Sequence, residues 1–211
     1  MQPLLTPTAR AAYSDDPLLL MATLMGHRLS KIYTRTGDAG TTGLGDGSRA
    51  TKDSARIHSL GEVDELNTVL GLLLVADLPV EMAASLLEIQ HDLFDLGGEL
   101  SIPGSSLLAT NAVARLESLI DSYNEALPPL KEFILPGGNA ASASCQFARA
   151  VCRRAERAVV AISDATPVSQ STLRYINRLS DLLFVLARVL ARANGGQEIM
   201  WDRSRFAPAG G

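Results

Sequence analysis

Residues 31–56, KIYTRTGDAGTTGLGDGSRATKDSAR, concentrate groups that could hold an anion. Between Thr34 and Lys52 the chain carries five Gly and five Thr, and Lys31, Arg35, Arg49, Lys52 and Arg56 supply five cations. Glycines let backbone N–H groups turn onto phosphate oxygens, and threonine hydroxyls add donors or a magnesium ligand. The stretch is not a Walker A loop, because no Gly-Lys pair occurs in the chain. Gly43-Leu44-Gly45-Asp46-Gly47 is not a dinucleotide fingerprint either, since no βαβ pattern surrounds it. On composition alone a solvated surface loop fits as well as a phosphate cradle.

Four other stretches carry chemistry. In RAVCRRAER (149–157), Arg149, Arg153, Glu156 and Arg157 share an arc of about 100° on a helix, with Val151, Cys152, Ala155 and Val159 opposite. Guanidiniums on one face can clamp a polyphosphate bidentately, or can simply be a solvated face. Asp64 in GEVDELN (61–67) lies near a helix start, where it complements the macrodipole or pairs with an arginine. Phe133 and Ile134 in KEFILPGGN (131–139) sit between helices, placed to tuck onto the core or to wedge into a ligand pocket. In YINRLSDLLF (175–184), Asn177 and Asp181 are four apart and interrupt a leucine-rich pattern. Buried polar groups need partners, so a neighbouring helix or a nucleotide is expected there.

Five apolar stripes must position these residues. They run through Val63–Leu73, Met82–Leu100, Val113–Leu127, Ala148–Ile162 and Ile176–Leu190, each at the 3-4 spacing of a bundle helix. Leu78-Pro79, Ile102 to Ser106, Pro128-Pro129, Pro136 to Gly138 and Asp164 to Pro167 punctuate them, and Asn139 is placed to cap the fourth. Strand signals are nearly absent apart from a short extended piece near Lys31–Thr34. The expectation is an all-α, up-and-down five-helix bundle with one long connection, residues 128–138.

The aliphatic composition agrees, with 46% apolar residues and 5% aromatic. A net charge of −4 argues against a general nucleic-acid binder. Cys145 and Cys152 lie two helical turns apart, roughly 10 Å, too far for a disulfide. The three histidines are scattered, so no protein metal site is expected. This pattern reads as a cytoplasmic protein with reduced thiols and no membrane contact. The run PLLLMATLM (17–25) is too short to span a bilayer, and Asp15 and Asp16 precede it. Residues 1–29 are expected to be a disordered extension, or a start upstream of Met21 or Met25. Residues 30–201 then form the domain and 202–211 a flexible tail.

Together, TRTGDAGTTGLGDGSR, GEVDELN, FILPGGN, ARAVCRRAER and YINRLSDLLFVLAR, in that order, resemble the ATP:cob(I)alamin adenosyltransferases of the trimeric five-helix type. The resemblance covers roughly residues 30–201. It implies transfer of the 5′-deoxyadenosyl group of ATP to the cobalt of a corrinoid, with triphosphate released. It further implies that Thr34, Arg35, Thr36, Gly37, Thr42, Gly43 and Lys52 form a phosphate-binding loop. Arg153, Arg154, Glu156 and Arg157 match the helical ATP-binding stretch, and Asn177 matches a nucleotide contact. Asp64 and Arg149 fall where a salt bridge crosses the subunit interface, and Phe133 falls where an aromatic displaces the lower axial ligand of cobalt. The implied cofactors are ATP, Mg2+ and cobalamin. The implied partners are two further copies in a homotrimer, a flavoprotein reductant and an acceptor enzyme. Three positions depart from the family pattern: Arg35 stands where lysine is common, Gln146 where histidine is frequent and Leu60 where an aromatic is frequent. A phosphotransferase and a non-catalytic corrinoid carrier are the rival readings, and the released product separates them.

Overall fold

The computed structural model describes residues 33–165, 167–202 and 204–206. The extension expected over 1–29 lies outside the described residues. The chain divides into two compact units, Met1–Thr41 and Thr42–Gly211.

In the first unit, residues 35–40 form a turn in which Gly40 N donates to Gly37 O at 3.2 Å and the Thr34 and Thr36 hydroxyls lie 2.9 Å apart. The Arg35 guanidinium stands 5.5 Å from the centroid of the Tyr33 ring. Tyr33 and Thr34 are not in a strand, whereas Lys31 and Ile32 lie outside the described residues. The strands fall later, β1 at Thr41–Gly43 and β2 at Arg49–Thr51, paired as a hairpin. Short Thr-bearing segments on either side of a Gly turn favour extended backbone more than the preceding Gly-Asp-Ala-Gly does.

The second unit is built on five helices: α1 (Ala55–Leu74), α2 (Val80–Ser101), α3 (Ala112–Glu125), α4 (Ala140–Ile162) and α5 (Gln170–Arg192). Each expected stripe lies on one of them, except that Leu127, the last residue of the third, falls beyond the end of α3 at Glu125. The side chains of Asn139 and Ser169 cap α4 and α5, accepting from Ser142 N at 2.8 Å and Thr172 N at 3.0 Å. In packing order the helices run α2–α1–α4–α5–α3, so α4 is flanked by α1 and α5. Leu66, Leu70, Leu86, Leu93, Leu116 and Leu183 are among the side chains wholly removed from solvent or nearly so. The core face of α4 is made largely of small residues, with Ser142, Cys145, Ala148, Cys152 and Ala155 all buried, and Val151, Val159 and Ile162 buried beside them.

Buried polar groups tie the bundle together. Asp92 on α2 accepts from Tyr175 Oη on α5 at 2.6 Å and pairs with Arg115 on α3. Burial and the neighbouring Asp92 carboxylate push the Tyr175 phenol up. Both thiols are free and buried, bonded to the carbonyls of Leu183 and Ile176 on α5. Burial raises both, Cys145 to about 12.

The hairpin and the start of α1 are both fastened to the end of α2. Arg56 donates from Nε to Leu100 O and from Nη2 to Ser101 O, each at 2.7 Å, satisfying carbonyls that the helix end leaves open. Gly45 N donates to Ser101 Oγ at 2.7 Å. A Cβ at residue 45 would come within 2.6 Å of the Ile102 side chain, so any larger residue would have to displace it.

Candidate active site

Helix α4 carries four of the arginines expected at the site, Arg149, Arg153, Arg154 and Arg157, and its rotation of 100° per residue sorts them. Arg153 and Arg157 are exposed. The Arg153 guanidinium has no partner among the described residues, while its carbonyl accepts from Arg157 Nη1 at 3.1 Å. Glu156 accepts from Asn177 Nδ2 of α5 at 2.9 Å, which fixes the amide beside the arginine face. Asn177 and Asp181 are both exposed. The expectation of a polar pair inside the leucine-rich face is therefore corrected: Leu179, Leu182, Leu183 and Leu186 face the core, and the pair occupies the opposite side.

Arg154 points elsewhere. It donates from Nε to Glu62 Oε2 at 2.6 Å and also pairs with Glu65, both on α1. Its hydrogen bonds to the carboxylates of Glu65 and Glu62 raise its pKa. His58 Nε2 lies 3.5 Å from the same Glu62.

One turn before Arg153, Arg149 turns toward a cavity of about 560 Å³. The cavity is walled by the connector (Leu130 to Ile134), by Gln146 and Arg149 of α4 and by Phe184 of α5. Arg149 Nε donates to Gln146 Oε1 at 2.7 Å, and Gln146 is itself buried. Burial, then the like charge of Arg153, lowers the Arg149 pKa. Phe133 is 73% exposed, and its ring meets Trp201 edge-on with centroids 6.2 Å apart. The structure thus brings Phe133 and Arg149 to one cavity, with Arg153, Glu156, Arg157 and Asn177 continuing along the same helical wall.

Other expected residues stand apart. Asp64 lies in the middle of α1 rather than near a helix start as expected, because Ser54 caps the helix well before it. It is exposed and has no ion pair among the described residues, its carbonyl accepting from Thr68 Oγ1 at 3.0 Å. Within one chain it does not meet Arg149. Thr34, Arg35, Thr36 and Gly37 belong to the first unit, where Arg35 holds a left-handed backbone (φ 61°). Thr42 and Gly43 belong to β1, and Lys52 is exposed just before Ser54, the cap of α1. Among the described residues no group of three His, Cys, Asp or Glu side chains could hold a metal ion. No helix among them is long and apolar enough to cross a membrane.

The family described as cobalamin adenosyltransferase matches residues 32–190. The chain belongs to the cobalamin adenosyltransferase family. It is 61% identical over 182 residues to a cobalamin adenosyltransferase of Cupriavidus metallidurans, covering 86% of this chain and 99% of that protein. It is 40% identical to the corrinoid adenosyltransferase of Homo sapiens, covering 84% of this chain and 75% of that one. Among solved structures it resembles a variant PduO-type ATP:corrinoid adenosyltransferase from Lactobacillus reuteri complexed with cobalamin and ATP. That match has TM-score 0.77 and 34% identity, covering 81% of this chain and 99% of the other.

Sequence reasoning missed two residues of this cobalamin adenosyltransferase family member: Phe184, which walls the cavity, and Trp201, which meets Phe133. Phe184 ends the leucine-rich stretch 175–184 and stands outside the spacing of its apolar stripe. Trp201 lies beyond the last helical stripe, and its being the one tryptophan in the chain was the available signal.

Proposed function

We propose that this chain transfers the 5′-deoxyadenosyl group of ATP to the cobalt of cob(I)alamin or a related corrinoid, yielding adenosylcobalamin and triphosphate. One observation carries the reading. Arg149 lines the apolar cavity, and Arg153 stands one turn along α4, so a flat apolar substrate and a polyanion can lie side by side.

The nucleophile belongs to the substrate. Cobalt(I) supplies an electron pair to C5′, the cobalt–carbon bond forms, and the C5′–O bond breaks with its electrons leaving on the triphosphate. The protein therefore supplies placement and electrostatics rather than an activated side chain. Arg153 and Arg157 receive the triphosphate and stabilise the charge that grows on it. Glu156 and Asn177, already bonded to each other, orient the nucleoside. Arg154 acts through Glu62 and Glu65, holding α4 in register with α1. The residues Thr34, Arg35, Thr36, Gly37, Thr42, Gly43 and Lys52 enclose the phosphates.

Magnesium fits as a companion of the nucleotide. The described residues offer hydroxyls and amides rather than a carboxylate cage, and Mg2+ is commonly bound mainly through substrate phosphates and water. When bound, it neutralises charge on the triphosphate.

Phe133 keeps the lower face of the corrinoid empty. A donor ligand there stabilises cobalt(II), so its exclusion makes reduction to cobalt(I) easier. A reducing partner, a flavoprotein by expectation, supplies that electron, and an acceptor enzyme takes the product. Asp64 and Arg149, unpaired with each other within one chain, bridge neighbouring subunits of a homotrimer, with each nucleotide held between copies.

The test is product analysis with ATP, magnesium and chemically reduced cobalamin. Intact triphosphate together with the spectrum of a cobalt–carbon bond is expected. ADP and phosphate as the first products would refute the assignment.

A further inference from the structure

Phe133 has little packing of its own, and what holds it comes from the far end of the chain. Trp201 N donates to Phe133 O at 2.7 Å, and Leu135 N donates to Ile199 O at 2.8 Å. Between them Ile134 and Met200 form an antiparallel bridge. The segment Ile199–Trp201 is thus bridged to the connector by its backbone, with the Trp201 and Phe133 rings meeting edge-on.

One carboxylate anchors that segment. Glu198, whose side chain is 1% exposed, accepts from Arg188 Nε at 2.6 Å and from Arg192 Nη1 at 3.1 Å. Both arginines lie on α5, one turn apart. Arg188, 3% exposed, also donates from Nη2 to Pro128 O at 2.8 Å, at the start of the connector. A single buried guanidinium therefore grips both the connector and the segment that runs beside it. Such a pair stabilises a fold little more than apolar residues of the same volume would. Its directional bonds do fix where two otherwise loose segments sit.

We propose that Glu198 and Trp201 are positioning residues for Phe133. The Glu198–Arg188 pair clamps connector and C-terminal segment to α5, and the Trp201 edge sets the Phe133 ring against the cavity. The inference rests on the reading of Phe133 as the wedge beneath the corrinoid. A ring held at one orientation excludes water and the nucleotide base continuously. An unheld ring at 73% exposure would admit them for part of the time.

Trp201 is the one tryptophan of the chain, so its fluorescence reports the clamp without turnover. The full chain, loaded with ATP and cob(II)alamin, is compared with Glu198→Gln, Trp201→Ala and Phe133→Ala by electron paramagnetic resonance for four-coordinate cobalt(II). Trp201→Ala is expected to lower that species about two- to tenfold, the bias an edge-on aromatic pair supplies. Glu198→Gln is expected to lower it too and to make Trp201 more open to acrylamide quenching, with KM for ATP unchanged. Should Glu198→Gln fail to fold, Glu198→Asp, which keeps the charge and shortens the reach, is read in its place with the same expectation. If Phe133→Ala lowers the species and Trp201→Ala does not, the wedge stands and the positioning inference is overturned. A Trp201 as shielded in the folded Glu198 variant as in the wild type also overturns it. An undiminished species in Phe133→Ala removes the wedge reading itself, and this inference with it.

Discussion

Arg153 and Arg154 are neighbours, and the same truncation at each should fail in opposite ways. The side chains leave α4 about 100° apart. Arg153 is exposed and its guanidinium has no partner among the described residues, so Arg153→Ala removes no side-chain contact seen among them. Its stability should stay within about 0.5 kcal/mol of the wild type, as for ordinary surface changes. What it loses is a charge-assisted clamp on the departing triphosphate, worth about 1.5–3 kcal/mol. That corresponds to a fall in kcat/KM of about 10- to 150-fold. Arg154→Ala instead strips the cation from Glu62, which is buried on α1, and from Glu65. Its urea midpoint should drop, because a buried carboxylate left without its partner is costly. The remaining folded protein should keep most of its KM for ATP. Urea titration and steady-state kinetics on both variants decide the matter. Unchanged kinetics in Arg153→Ala, or an unchanged midpoint in Arg154→Ala, would refute the division of labour along α4.

Three further outcomes follow from the same geometry. Asp64→Ala and Arg149→Ala should couple in a double-mutant cycle of stability and activity, the double variant losing less than the sum of the singles; sedimentation should give a mass near three chains, and additive losses would remove the bridge. Asp92→Asn should destabilise the bundle by about 3 kcal/mol or less, since Arg115 loses a buried partner while keeping some solvent; a midpoint unchanged in urea would contradict the network. Stability should also fall as pH rises above the ordinary thiol value of 9.0, because the unfolded thiols of Cys145 and Cys152 ionise there and the buried ones stay protonated. The slope is up to about 1.4 kcal/mol per pH unit for each thiol, and urea melts of Cys145→Ala with Cys152→Ala should show it flattened.

The helices were legible because burial leaves a periodic trace. Leu66, Leu70 and Leu73 are spaced as one face and are all removed from solvent. The start of α1 left no such trace: its first two turns precede Val63, and Ser54 sets the boundary by capping rather than by apolar spacing. The hairpin was hidden for a related reason, since three-residue strands are too short for an alternating pattern. The arginine face on α4 was visible as an arc, but which arginine would turn to α1 was not. Arg154 chooses Glu62 and Glu65 because α1 packs beside α4, and that neighbourhood is written in no local spacing. Asn177 misled for the same reason, because a polar residue within a leucine-rich segment lies inside or outside according to one step of rotation. Trp201 needed the return of the chain along the connector, a pairing between segments far apart in sequence.

The small residues on the inner face of α4 have a consequence for the outer one. Where Ser142, Cys145, Ala148, Cys152 and Ala155 meet α1 and α5, the helix backbones can approach more closely than leucines would permit. Short side chains have few rotamers to trade, so such a contact has little slack: the axis of α4 is seated by backbone bulk rather than by adjustable chains. An added methyl group there would lever the helix outward and carry Arg149 and Arg153 with it, although neither would be touched. Reach to a triphosphate is thus decided on the dry side of the helix, where alanine and cysteine act as gauge blocks for arginines that face water.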